Sequence, residues 1–143
     1  MRVRLRSVRP IGSELSGGLD SSSVTCQAAK ILRDSENDAS LHTFSVVFSE
    51  ALGEDERPYI ESVLGEYDEL VPHFIWGDRK SPLAEWDELY RYLDGACEAP
   101  NVYIPIRVNQ LAHEKGMRVI LSGFDGDTTI SHGRGYFYQL RND

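Results

Sequence analysis

Hydrophobic positions fall into short runs separated by polar, glycine-bearing segments. Residues 11–15 form a short apolar segment that runs into Ser16-Gly17-Gly18. From 21 to 33, Val24, Ala28, Ile31 and Leu32 recur at helical spacing, which predicts a helix with one apolar face. Polar residues 34–40 predict a loop, and 41–48, rich in valine and phenylalanine towards its end, predicts a second strand. Residues 50–56 are acidic, and Pro58 stands where a helix should begin, expected to run to about residue 65 with Ile60, Val63 and Leu64 buried. A third strand is expected over 70–75, a turn over 77–82, and a helix over 83–93 with Trp86, Leu89, Tyr90 and Leu93 on one side. Residues 101–115 predict a helix over their second half, ended by Gly116. A fourth strand, 118–121, leads into Ser122-Gly123.

Strands alternating with helices predict an α/β fold, a parallel sheet with flanking helices. In such sheets ligands sit beyond the carboxyl ends of the strands. The two glycine-containing loops, after Leu15 and after Leu121, both fall at carboxyl ends. That coincidence is the first pointer to function.

Composition narrows the picture. A chain of 143 residues fits one domain with a real core, and 41% apolar and 27% charged residues are ordinary for a soluble protein. No apolar stretch has signal-peptide or membrane-spanning length. Cys26 and Cys97 make no disulfide framework, and the four histidines have no zinc-ligand spacing. Both cysteines are expected to be buried apolar residues in a reducing cytoplasm. Fifteen Lys and Arg against 23 Asp and Glu leave a net charge of −8, which argues against nucleic acid as the main partner. Arg2, Arg4, Arg6 and Arg9 form a basic run, read as a solvated end; Val3 and Leu5 alternate with them, which is no pattern for an amphipathic targeting helix.

The segment from Leu15 to Ser23 carries the chemistry. Gly17 and Gly18 allow a tight turn and close approach of a ligand to the backbone. The helix that follows points its unpaired amides and positive dipole end at whatever fills the turn. Ser16, Ser21, Ser22 and Ser23 add hydroxyls, which together make a phosphate cradle without lysine. No Walker A, Gly-x-Gly-x-x-Gly or Gly-x-Ser-x-Gly pattern is present. The plainer alternative is a strand-to-helix turn with Asp20 or a serine as the helix cap.

The string Leu15-Ser16-Gly17-Gly18-Leu19-Asp20-Ser21-Ser22 resembles the pyrophosphate loop of the N-type ATP pyrophosphatases, and most closely that of the synthetase domain of asparagine synthetases. Further similarity lies in residues 41–48, in 55–60 and in the loop after Leu121. The resemblance implies an adenine nucleotide alpha hydrolase-like (Rossmann-like) sandwich that cleaves ATP between its α and β phosphates. A substrate carboxylate, aspartate or an analogue, becomes an acyl-adenylate, and ammonia or an amine displaces AMP. It implies pyrophosphate on Ser16, Gly17, Gly18, Ser21 and Ser22, adenine against the backbone of Leu15 and Val46, and Ser122 and Gly123 at the nucleotide. It also implies Mg²⁺ held by Asp20 and Asp127, with Asp127 and Glu98 as candidate catalytic residues. Two carboxylates at neighbouring strand ends suit a hard cation that also takes phosphate oxygens. Capping of turns is the alternative reading for Asp125 and Asp127.

Three positions depart from the family pattern. Phe124 stands where asparagine synthetases carry a glutamate, Asp125 replaces a glycine, and Thr128 replaces a glutamate. These departures leave nucleotide binding in place and point to an altered acceptor, or to a non-catalytic nucleotide-binding subunit. The glutaminase domain of full-length relatives is expected to be absent from this chain, so that nitrogen would come from a partner chain. Residues 1–143 are expected to form the N-terminal part of the synthetase domain.

Overall fold

The computed structural model describes residues 1–35, 40–49, 55–79, 90–91, 102–124 and 126. Four strands, β1 (Ile11–Glu14), β2 (Leu41–Val47), β3 (Leu70–Trp76) and β4 (Val119–Leu121), form one parallel sheet in the order β3-β2-β1-β4. Among the described residues, three helices with defined bounds, α1 (Leu19–Arg33), α2 (Arg57–Leu64) and α3 (Tyr103–Glu114), connect and cover them. This is the α/β sandwich that the alternation of strand and helix predicts.

Each side of the sheet has its own apolar cluster. On one side Ile11, Leu41, Leu70 and Leu121 meet Ala28, Ala29 and Leu32 of α1. Leu15 and Val47 meet Ile60 of α2 alongside them. On the opposite side Phe44 packs with Val108 and Ala112 of α3 and with Met117. Burial on both faces explains why β1 and β2 lack the apolar–polar alternation of a half-exposed sheet. Of the polar residues buried in this core, Ser13 and Thr25 satisfy each other, their hydroxyls hydrogen-bonding at 2.9 Å, while the Thr43 hydroxyl is without a partner.

Helix boundaries shift from the expected ones for local reasons. α1 begins at Leu19, two residues early, because Gly18 supplies the N-cap. α3 occupies nearly all of 101–115 rather than its second half, since Pro105 falls in the first turn, where no intrahelical N–H is required. Gly116 ends it with φ +80, the left-handed conformation that glycine adopts freely. Cys26, expected buried, is half-buried and free. The expected helix at 83–93 lies outside the described residues apart from Tyr90 and Arg91, and so does Cys97. Among the described residues, no helix is long and apolar enough to cross a membrane.

The β3 edge carries a histidine pair. His42 and His73 lie 2.9 Å apart, Nδ1 to Nε2, with parallel rings, and Phe44 stacks on His73. Burial, then the Lys115 ammonium, holds His42 below its ordinary value. Burial, then His42 and Lys115, does the same to His73.

Candidate functional site

The chain runs from β1 outwards to β2 and β3 on one side, while β4 pairs with β1 on the other. The carboxyl ends of β1 and β4 therefore border the reversal of strand order, where parallel sheets leave a crevice for ligands. A cleft of about 380 Å³ lies there, lined by Glu14, Ser16, Gly18, Leu19, Asp20, Ser21, Gly123 and Phe124. Both predicted loops meet in it.

The first loop is built as a cradle. Gly17 turns the chain with φ +84, and a Cβ there would lie 2.9 Å from Tyr59 Cβ and 3.2 Å from the Glu56 carbonyl. Glycine is thus demanded twice, by backbone conformation and by the close approach of α2. Gly18 caps α1 without any side-chain hydrogen bond, and the first helical bond is Ser22 N–H to the Gly18 carbonyl at 3.0 Å. The amides ahead of it keep their donors for a ligand. The alternative of a helix capped by Asp20 or a serine is not what forms. Instead the Ser16 and Ser21 hydroxyls bond each other at 2.9 Å, and Gly18 N–H donates to Ser16 Oγ at 3.3 Å, which fixes the loop in shape. The Ser22 hydroxyl is buried without a protein partner. An orphaned donor in the first turn of such a helix fits a bound anion.

The second loop packs directly on the first. A Cβ on Gly123 would lie 2.6 Å from the Ser21 amide nitrogen and 2.8 Å from its Cα, so only glycine permits this approach. Gly126, whose N–H donates to the Gly123 carbonyl at 3.2 Å, lies against the Asp20 carboxylate. Ser122 Oγ accepts the Phe124 N–H at 3.0 Å and donates to the Glu14 carboxylate. Phe124 is 86% exposed and Leu19 83%, which leaves an apolar rim on the cleft.

Of the residues expected at the site, Ser16, Gly18, Asp20, Ser21 and Gly123 line this cleft, and Gly17, Ser22 and Ser122 shape it. Leu15 is fully buried beneath it, with its N–H donated to the Phe44 carbonyl at 2.9 Å. Val46 lines a different pocket of about 240 Å³, beyond β2 and β3, with Ile75, Trp76, Tyr103, Ile104, Arg79 and Arg107. Asp127, Glu98, Asp125 and Thr128 lie outside the described residues. Sequence reasoning gave no role to Glu14, although a charged residue inside an otherwise buried strand is a detectable departure. It singled out residues 55–60 only as similar to the family, and the contact of Tyr59 and Glu56 with Gly17 depends on how α2 docks.

Among the described residues lining the β1–β4 cleft are two carboxylates and no lysine or arginine. A polyphosphate there is opposed by Glu14 and Asp20 unless a cation accompanies it. Asp20, at the start of α1 beneath Gly126, has the oxygen donors that suit Mg²⁺.

Comparison with known proteins gives a consistent result. The family model described as asparagine synthase matches residues 1–142. A Methanocaldococcus jannaschii protein, provisionally named asparagine synthetase [glutamine-hydrolyzing] 2, is 31% identical over 144 residues. That match covers 95% of this chain and 26% of the relative, so the chain spans about a quarter of the length of the curated relative it matches.

Proposed function

The chain belongs to the asparagine synthase family, and on that premise we propose that it binds Mg·ATP and adenylates a small carboxylate substrate with release of pyrophosphate. Ammonia or an amine then displaces AMP and forms an amide. The observation that carries this reading is the start of α1, which has no side-chain cap, with the Ser22 hydroxyl orphaned and Gly123 packed against Ser21. Such a site accepts an anion through backbone amides and hydroxyls, without a lysine.

The β and γ phosphates are assigned to Ser16, Gly17, Gly18, Ser21 and Ser22. Asp20 and Asp127 are assigned to Mg²⁺, which when bound neutralises the phosphates and polarises the bond that breaks. The adenine is assigned to the Val46 end, where Trp76 and Tyr103 offer aromatic surface. Glu98 is kept as a candidate substrate-side carboxylate. Aspartate or an analogue is the proposed acceptor, and a glutaminase, as a domain or a partner chain, the proposed source of ammonia. Residues 1–143 are proposed as the nucleotide half of the synthetase domain.

ATP–pyrophosphate exchange in the presence of aspartate tests the reading. Exchange dependent on both Mg²⁺ and a carboxylate supports adenylation. Asp20→Asn is expected to weaken Mg·ATP binding by about tenfold or more, on the scale of a lost charge-assisted ligand. Unchanged Mg·ATP affinity in that variant would refute the metal assignment. Phe124, an apolar side chain in the cleft, favours a second reading in which the chain binds the nucleotide without turning it over. ATP binding without exchange identifies that case.

A further inference from the structure

Glu14 is the anomaly of the central strand. Ser13 and Leu15 on either side of it are fully buried, and β1 is paired on both edges, by β2 and by β4. Parallel strands in that position are ordinarily apolar throughout. Yet a carboxylate stands there, half-buried, with its side chain in the cleft beside Ser16, Asp20, Ser21 and Gly123.

Its position follows from the register. Ser13 pairs with Leu121 as the last rung of β1 and β4, so Glu14 and Ser122 are the next residues on each side. The Ser122 hydroxyl donates to Glu14 Oε2 across that gap. The hydrogen bond therefore lies at the reversal of strand order, where open parallel sheets bind their ligands. It fixes the carboxylate while leaving acceptor capacity on both oxygens. The other carboxylate among the described lining residues, Asp20, sits at the start of α1 under Gly126, on the phosphate side. Phe124, which also lines the cleft, cannot accept a proton.

We propose that Glu14 is the proton acceptor for the amine that attacks the activated carboxylate, a role that rests on the adenylation reading above. As the amine nitrogen attacks, a C–N bond forms and the bond between the carbonyl carbon and the AMP oxygen breaks. The electron pair of that bond leaves with AMP, and an N–H proton passes to the Glu14 carboxylate. A negatively charged cleft also favours entry of a neutral or cationic amine over an anionic nucleophile. Adenylation itself moves no proton to Glu14, so the two half-reactions should separate when the residue is changed.

The test uses the full chain and its Glu14→Gln variant, in which the amide oxygen still accepts the Ser122 hydrogen bond. Three rates are compared with aspartate as the carboxylate: ATP–pyrophosphate exchange, amide formation from ammonia, and hydroxamate formation from hydroxylamine. Hydroxylamine is a stronger nucleophile, largely neutral at pH 7, and depends less on a base. The Gln variant should keep exchange and hydroxamate formation within about threefold. It should lose ammonia-dependent amide formation by roughly 10²- to 10⁴-fold, the range of general-base catalysis. Glu14→Asp should recover part of the loss. Exchange and amide formation falling together would make Glu14 a strut or a cation ligand and overturn the proposal, as would no change in either. A wild-type chain without exchange would instead overturn the adenylation reading, before Glu14 is reached.

Discussion

The two ends of the sheet's ligand-facing edge solve opposite problems. Beyond β1 and β4 the cleft is made of glycine backbone, serine hydroxyls and the carboxylates of Glu14 and Asp20. Beyond β2 and β3 the pocket is walled by Val46, Ile75 and Ile104 with Trp76 and Tyr103, and the Arg79 guanidinium stacks 4.4 Å over the Trp76 ring. Among its described lining residues, the first region offers an anion oriented amides and hydroxyls but no cationic side chain. The second offers apolar and aromatic walls beside Arg79 and Arg107. The proposed function assigns the phosphates of a nucleotide to the first region and its base to the second. The difference teaches that, among the described lining residues, the arginines belong to the second pocket and none to the cleft beside the loop that resembles a phosphate binder.

Substitutions in one region should leave the other's ligand affinity intact, and the largest separation is expected at Gly123. Gly123→Ala forces a Cβ within 2.6 Å of the Ser21 backbone. It should weaken pyrophosphate and Mg·ATP alike by about 2–3 kcal/mol, or roughly 30- to 150-fold in titration. Gly116→Ala is the control: its φ of +80 is strained for alanine, but nothing lies within 4 Å of the new Cβ. It should lower stability by about 1 kcal/mol and leave binding alone. Equal binding losses in both variants would erase the distinction.

Trp76→Ala probes the opposite end. Loss of the aromatic surface that the proposed function assigns to the base should weaken ATP by about 1–2 kcal/mol without changing pyrophosphate affinity. Equal losses for both ligands would place the base elsewhere. A smaller effect is expected from Tyr103→Phe, which removes the hydroxyl that donates to the Gly77 carbonyl at 3.0 Å. Denaturant unfolding should report a loss of about 0.5–1.5 kcal/mol.

The smallest effect concerns pH. Burial and Lys115 hold His42 and His73 below their ordinary value of 6.5, so in that window the unfolded chain binds more protons than the folded one. The pair's full contribution is present above pH 6.5 and is lost as pH falls through the lowered folded values. Thermal unfolding at pH 7 and pH 5 should show this decline, and His73→Asn should make it shallower. An unchanged slope would remove the pair from the acid response.

Much of the scaffold was legible because its signals are local. The apolar periodicity of Val24, Ala28, Ile31 and Leu32 predicts α1, and Pro58 marks the first turn of α2 at Arg57–Leu64. Strands β2 and β3 match expectation to within a residue. The full extent of α3 was missed because its first turn carries Pro105 and packs through Tyr103 and Ile104 on a pocket that no helix periodicity reveals. At the site, the Ser-Gly-Gly loop was readable, while the packing of Gly123 on Ser21 was not.

By itself the sequence determined the alternation of strand and helix, the glycine-serine turn and the acidic charge, because each depends on neighbours a few residues away. Tertiary structure alone decided strand order, and with it which loops share a cleft. Pairing β4 with β1 brings Ser122 to Glu14, Gly123 to Ser21 and Gly126 to Asp20 across about a hundred residues of chain. Pairing of β2 with β3 places Val46 in a separate pocket with Ile75 and Trp76, away from the Ser-Gly-Gly turn. Such long-range contacts arise from burial of Leu121 in the common core beside Ile11, and no periodicity along the chain encodes which strand it will join.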